Sequence, residues 1–311
     1  MYFSNIKNSI ELKKFLEERV FKHKFLFHYT TAEKLQCIFR HKTWRLCSAE
    51  TMNDLQEYKE KGNSSLWGKL YSTCFSFGDE DNIAMWSMYG IPWEDAVRIR
   101  LSTDAIKQWM QTFDGILCDT SDSKYTLNTS DLQDSVVLHD ICYYQGYFGC
   151  MQVYSDCPLN KPACLPTGQK CLCPQKELHW WNQSNRQTKI VENDNCYLKE
   201  ELTGYVKNSA WEHERETRLS ITLSRNVGEY IDIPLNKEML KNMQIAIGPR
   251  STLNIDSLKQ TLSNLSEIPN SEIRVSESYY KDKNLLPKLR RHCDTQTTCP
   301  PVFKNSLENK S

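Results

Sequence analysis

The sequence predicts an α+β fold, and three observations carry that expectation. Short apolar runs of strand character recur along the chain, separated by amphipathic helical segments. They do not follow the regular strand–helix–strand alternation of a parallel doubly wound sheet. Polar residues gather at the ends of two such runs and at the head of a helix, between Phe25 and Glu57. Strand ends and helix starts are rigid and present backbone N–H groups, so sites are often built there.

In chain order, Asn8 to Phe21 forms a first helix with Leu12, Phe15, Leu16 and Val20 as its buried positions. A strand over Phe25–Tyr29 leads into a helix over Ala32–Arg40, capped by Thr30 or Thr31. Trp44–Cys47 is a short strand, and Asp54 to Leu70 reads as helical. Tyr71 to Phe77 is a strand, followed by a helix from Asn82 to Tyr89 that Gly90-Ile91-Pro92 stops. A strand Ala96–Leu101, a helix Thr103–Phe113, a polar loop Asp119–Asp134 and a strand Val136–Tyr144 come next. The stretch Gln145 to Trp181, with four prolines and few periodic apolar residues, reads as an insertion. Val191 to Val206 reads as a helix. Strands Glu216–Leu223, Tyr230–Ile233 and Met243–Ile247, a helix Ile255–Leu265 and a strand Glu272–Ser276 complete the pattern. The expected division is an N-terminal helix (1–24), a single α+β domain (25–289) with the insertion at about 145–181, and a disordered polar tail (290–311).

The 311 residues are 39% hydrophobic and 25% charged, with 39 basic and 39 acidic side chains. Such balance gives no drive for bulk nucleic-acid or membrane binding. There is no apolar signal region and no run of about 18 apolar residues, so a cytoplasmic protein without a membrane span is expected. The odd total of 13 cysteines argues against a secreted disulfide framework. Cys37, Cys47 and Cys74 fall in apolar segments and are expected in the core.

Four places concentrate polar and aromatic side chains, and each has a plain structural reading beside a functional one. His28-Tyr29-Thr30 ends a strand; the imidazole could direct one hydrogen bond to a ribose hydroxyl or be satisfied by backbone. Asn53-Asp54-x-x-Glu57 could be a site or a helix capping box. Trp86 and Tyr89, which follow Phe75-Ser76, share a helix face and suit either a flat ring or the core. Glu212, Glu214 and Glu216 alternate and would share one face of a strand, with His213, Arg215 and Arg218 close by. That strand is either an exposed charged edge or a site that stabilises a developing cation.

Taken in order, His28-Tyr29-Thr30, Asn53-Asp54-x-x-Glu57, Phe75-Ser76, Met85-Trp86-x-x-Tyr89, Glu214-x-Glu216-x-Arg218 and Gly248-Pro249-Arg250 resemble a bacterial family known as domain of unknown function family 2971. The match runs from about Phe25 to about Ser278. The order of elements looks like the ADP-ribosyltransferase superfamily. That resemblance implies a split mixed β-sheet with flanking helices and NAD as co-substrate in the cleft. It implies His28, Tyr29, Thr30, Ser76, Trp86 and Tyr89 around the cofactor, with His28 on the adenosine ribose and Trp86 or Tyr89 stacked on nicotinamide. Glu216 or Glu214 would bond the nicotinamide ribose and stabilise its cationic transition state. The other glutamate, or Asp54, would orient a nucleic-acid or protein acceptor. The resemblance also suggests a stress or phage-defence setting.

Two other function classes use the same residues. A non-catalytic nucleotide or nucleic-acid binding module would draw phosphate contacts from Arg98, Arg100, Arg215, Arg218 and Arg250. A metal-dependent nuclease would hold magnesium on Asp54, Glu57, Glu214 and Glu216. Separately, Cys157, Cys164, Cys171 and Cys173 in the insertion supply four sulfurs for a structural zinc, with Cys150 and His179 as alternative ligands. Free thiols or disulfides are the other readings of that cluster.

Overall fold

A computed structural model of the chain describes residues 9–52, 68–78, 81–121, 123–128, 136–144, 177–182, 187–192 and 204–281. Helix α1 (Ser9–Val20) buries Leu12, Phe15, Leu16 and Val20, the positions its spacing predicts. Strand β1 (Phe25–Thr31) feeds directly into α2 (Ala32–His41). Thr31 caps that helix: its hydroxyl accepts from the Lys34 N–H at 3.4 Å, while Leu35 and Phe39 turn to the core. Strands β2 (Thr43–Ser48) and β3 (Leu70–Ser76) follow, then α3 (Ile83–Tyr89), β4 (Ala96–Ser102) and α4 (Thr103–Met110). Next come β5 (Ile116–Thr120), β6 (Lys124–Leu127), β7 (Val137–Asp140), β8 (Cys142–Tyr144), β9 (Glu177–Asn182), β10 (Gln187–Glu192) and β11 (Val206–Asn208). The chain ends its described part with β12 (Glu216–Thr222), β13 (Tyr230–Pro234), α5 (Lys237–Asn242), β14 (Gln244–Ile247), α6 (Ile255–Ser266) and β15 (Arg274–Glu277).

The fold is α+β with a mixed main sheet. Its order runs β15-β14-β4-β1-β3-β2-β13-β5-β6, with β12 and β7 branching from β3. Strands β14 and β15 pair in parallel, and the other pairs of this sheet are antiparallel. Strand β3 is the hinge of the architecture. Along one edge it pairs with β12 over its whole length, from Glu216↔Ser76 to Thr222↔Leu70. Its other edge is shared. Strand β2 takes Tyr71 and Ser72, and β1 takes Ser76. The sheet therefore splits between β1 and β2, beside Thr73, Cys74 and Phe75. Backbone polar groups at such a gap need other partners. The Cys74 carbonyl finds one in the His28 imidazole, whose Nδ1 lies 2.9 Å away.

The core lies against the sheet, with Trp44, Trp109, Phe113, Ile231, Ile233 and Leu262 almost wholly enclosed. A smaller cluster of Phe27, Tyr29, Met85, Trp86 and Ala96 packs α3 on β1 and β4. Gly248, at the Gly-Pro-Arg turn, lets β14 close on this cluster. A Cβ there would sit 2.8 Å from the Ala96 Cβ and 3.1 Å from the Trp86 ring. On the far side α1 is riveted to the sheet by Asp140. That carboxylate meets His23 at 2.8 Å and Arg19 at 3.3 Å and accepts from the Thr217 hydroxyl at 2.7 Å.

Several expectations are corrected. The polar stretch from Asp119 onward contains a hairpin rather than only a loop: Asp119 pairs with Lys124, and Cys118, Thr120, Tyr125 and Leu127 turn inward. Val136–Tyr144 is two strands in two sheets. They part at Ile141, whose N–H donates to the Glu216 carbonyl at 2.9 Å. The helix read over Val191–Val206 begins and ends in strand at its described residues, in β10 and β11. Leu70 opens a strand, so the helix read up to it does not reach it. Cys37 and Cys47 are exposed and Cys74 is half-buried, so none of these three is a core residue. Asn53, Asp54 and Glu57, the cysteines Cys150, Cys157, Cys164, Cys171 and Cys173, and the tail from 290 lie outside the described residues.

Candidate functional site

A cavity of about 590 Å³ opens over the split in the sheet. Its size falls within the range of roughly 300–1,000 Å³ typical of small-ligand sites. Strands β1, β2 and β3 form its floor, α2 and α3 flank it, and the β11–β12 segment closes one end. Of the residues predicted from sequence, His28, Tyr29, Thr30, Ser76, Tyr89, Glu214 and Glu216 all reach this cavity. Trp86 is wholly buried instead. Its ring stands edge-on to Tyr29 at 5.0 Å, and its indole N–H donates to Asp81 at 3.2 Å.

The acidic end is built differently from the expected strand. Residues Ser209–Glu214 form a 3₁₀ turn, capped by the Asn208 side chain, which accepts from the Ala210 N–H. Arg215 then adopts the left-handed conformation, φ 47°, and β12 begins at Glu216. That residue breaks the alternation, so Glu212, Glu214 and Glu216 do not share one strand face. Nor is this an exposed edge. Strand β12 lies between β3 and β7, and Glu214 and Glu216 are 3% and 2% exposed.

Glu214 and Glu216 converge nevertheless, because Lys207 of β11 lies between them. Its Nζ donates to Glu214 Oε2 at 2.6 Å and to Glu216 Oε2 at 3.0 Å. Arg218, two residues along β12 and on the same face, grips Glu216 with both ends of its fork. Nε donates to Oε1 at 2.6 Å and Nη2 to Oε2 at 3.1 Å. Tyr89 closes the group by donating its hydroxyl to Glu214 Oε1. Burial alone would raise the Glu216 carboxyl, but the Arg218 and Lys207 charges outweigh it and hold the group well below the usual carboxylate range. Glu216 is therefore ionised at neutral pH. Burial, and then the adjacent Glu214 carboxylate, push the Tyr89 phenol well up, so it stays a donor.

The cavity floor follows from the register of β3 against β12. Ser76 sits opposite Glu216, Cys74 opposite Arg218 and Ser72 opposite Ser220. Burial raises the Cys74 thiol well above its ordinary value, with Glu216 adding to the effect. Cys74 thus remains a neutral thiol beside the Glu216 carboxylate. His28 completes this wall. Desolvation lowers its pKa, so the imidazole is neutral. Since Nδ1 donates to the Cys74 carbonyl, Nε2 carries the lone pair and is an acceptor. Behind it the buried Trp44 and Phe75 rings stack on each other at 5.6 Å and 25° and fix the imidazole from the core side. Burial pushes the Tyr29 phenol up to about 12, and its oxygen accepts from the Asn82 N–H at 3.2 Å.

The arginines expected to bind phosphate are scattered. Arg98 is buried and paired with Asp81 at 2.8 Å, Arg100 lies over the Phe25 ring and Arg250 over Trp93. Of those five, only Arg218 lines the cavity, and it grips Glu216. Lys34 and Arg45 at the mouth, and Lys207 inside, are cavity cations that sequence reasoning missed. Among the described residues no group of three or more histidines, cysteines or acidic residues is placed to hold a metal, and the Glu214–Glu216 pair is spanned by an ammonium.

No family model matches the chain, and no curated protein matches it. Among solved structures, DarT from Thermus sp. 2.9 in complex with NAD+ aligns over 84% of this chain and 97% of its own, at 9% identity and a TM-score of 0.33.

Proposed function

We propose that the chain is an ADP-ribosyltransferase-like enzyme that binds NAD in the cavity over the split and cleaves its nicotinamide–ribose bond. The observation that carries this reading is Glu216: an ionised, buried carboxylate at the wall of an open cavity, held in place by Arg218 and Lys207. Departure of nicotinamide leaves positive charge on the ribose, and a preorganised carboxylate in a dry cleft stabilises such charge best. A ribose hydroxyl, a stronger donor than a thiol, replaces Cys74 at the Glu216 carboxylate. His28 Nε2 accepts from the second ribose, and the half-buried Tyr89 ring packs against the nicotinamide.

Glu214, gripped by Tyr89 and Lys207, orients the acceptor, which in this reading is a nucleic acid or a protein. The order of elements, which looks like that of the ADP-ribosyltransferase superfamily, supports the same reading. The test is free nicotinamide released from NAD by the purified protein, with cell extract added as a source of acceptor. Wild type is run beside Glu216→Gln and Glu214→Gln. Release lost in Glu216→Gln names the catalytic carboxylate; full activity in both variants removes the proposal.

A further inference from the structure

We infer that Lys207 is a positioning residue for this carboxylate pair: its ammonium sets the spacing of Glu214 and Glu216 and keeps the negative charge of Glu216 at the cavity wall. The inference rests on the proposed NAD reading for its catalytic meaning, but its geometry stands alone. Glu214 ends a 3₁₀ turn and Glu216 begins a strand, with a left-handed Arg215 between them. The backbone between them is a turn, so a third group is needed to hold the two carboxylates together. Lys207 comes from a separate element, only 7% exposed, and bridges them at 2.6 and 3.0 Å. Its own place is secured twice. Its backbone pairs with Tyr143 of β8, whose hydroxyl accepts from the Glu216 N–H at 2.8 Å. Its ammonium also lies 4.7 Å above the Trp211 ring.

Two buried carboxylates sharing a site repel, and a cation between them offsets that repulsion. The groups around Glu216 define what happens without it. Among the described residues, Arg218 on β12 is the other cation bonded to Glu216. Glu214 from the 3₁₀ turn, Cys74 on β3, Tyr143 on β8, Tyr89 on α3 and His139 on β7 supply the remaining titratable neighbours. Removing Lys207 leaves Glu214 and burial opposed by Arg218 alone, so Glu216 holds a proton to higher pH.

The experiment labels glutamate carboxyl carbons with ¹³C and follows the Glu216 resonance, assigned by its loss in Glu216→Gln. In the wild type that resonance should not titrate between pH 4.5 and about pH 8, since its carboxyl lies below its ordinary value of 4.5. Lys207→Met should move the titration up by about one pH unit or more, a tenfold change in proton affinity. Lys207→Arg, which keeps the charge, should titrate as the wild type does. A merely structural lysine would lower the melting temperature and leave the Glu216 titration where it was, and that result in Lys207→Met overturns the inference. If Lys207→Met does not fold, a wild-type or Lys207→Arg resonance that titrates as an ordinary carboxylate overturns it instead. In nicotinamide release, the acid limb of kcat should move up with the titration while KM for NAD changes little. A wild type that releases no nicotinamide would sink the NAD reading and leave the titration to decide Lys207.

Discussion

Replacing Arg218 by methionine should destabilise the fold by about 3 kcal/mol. The side chain is 1% exposed and donates twice to Glu216, at 2.6 and 3.1 Å, and once to the Gly204 carbonyl at 3.3 Å. Removing one partner of a buried pair typically costs about 3–5 kcal/mol, because the other charge is left uncompensated. Lys207 stays within 3.0 Å of Glu216, which places the loss at the lower end of that range. The assay is urea unfolding at pH 7, followed by tryptophan fluorescence. Glu216→Gln combined with Arg218→Met should cost clearly less than the two single losses added, since the orphaned charge is gone. The sign of the pH dependence follows from the same pair. The folded Glu216 carboxyl lies below its unfolded value of 4.5, so the stability it contributes is present above pH 4.5 and is lost as pH falls below it. That acid loss should be smaller in Arg218→Met. A loss under about 1 kcal/mol, or strict additivity in the double variant, would refute the reasoning.

Three further outcomes follow from other parts of the molecule. Asp140→Asn weakens the rivet between α1 and the sheet and should cost about 3 kcal/mol, with faster amide exchange confined first to α1. Trp44→Ala removes a 2% exposed indole packed on Phe75 and Trp109 and bonded to Thr73, and should cost about 3–5 kcal/mol in urea unfolding. Burial, and then the Arg218 charge, lower His139 from 6.5 to about 3. The unfolded chain takes up that proton below pH 6.5 and the folded chain does not, so stability should begin to fall as pH drops below 6.5, and less so in His139→Gln.

Much of the site was legible because its residues sit at the ends of strongly patterned elements. Strand β1 reads from Phe25-Leu26-Phe27, and the polar group that closes it, His28-Tyr29-Thr30, lines the cavity. Glu216 was singled out with Glu212 and Glu214 by an alternation that the Arg215 turn breaks, yet it opens β12 at the cavity. Lys207 was not legible, because it reaches its carboxylates from a three-residue strand of the other sheet, too short to show a period and lying just past the helix read to Val206. Its one signal is charge balance: buried carboxylates require a cation, and Arg218 alone does not serve two. The hairpin of β5 and β6 was hidden by a polar outer face, since Cys118, Tyr125 and Leu127 are too few to announce a period. The split itself depends on which strands share the edge of β3, and no local pattern encodes such long-range pairing. Of the two readings left open for Trp86, the core one fits its place: helical spacing puts it beside Tyr89, but its ring turns to Tyr29 and Asp81.

The central claim is that Glu216 stabilises positive charge on the ribose of NAD. Its most direct test measures NAD binding by calorimetry and nicotinamide release on the same preparations of wild type and Glu216→Gln. The account predicts release by the wild type, a loss of about a hundredfold or more in the variant, and binding nearly unchanged. Binding without release by the wild type would contradict it and make the cavity a nucleotide-binding module.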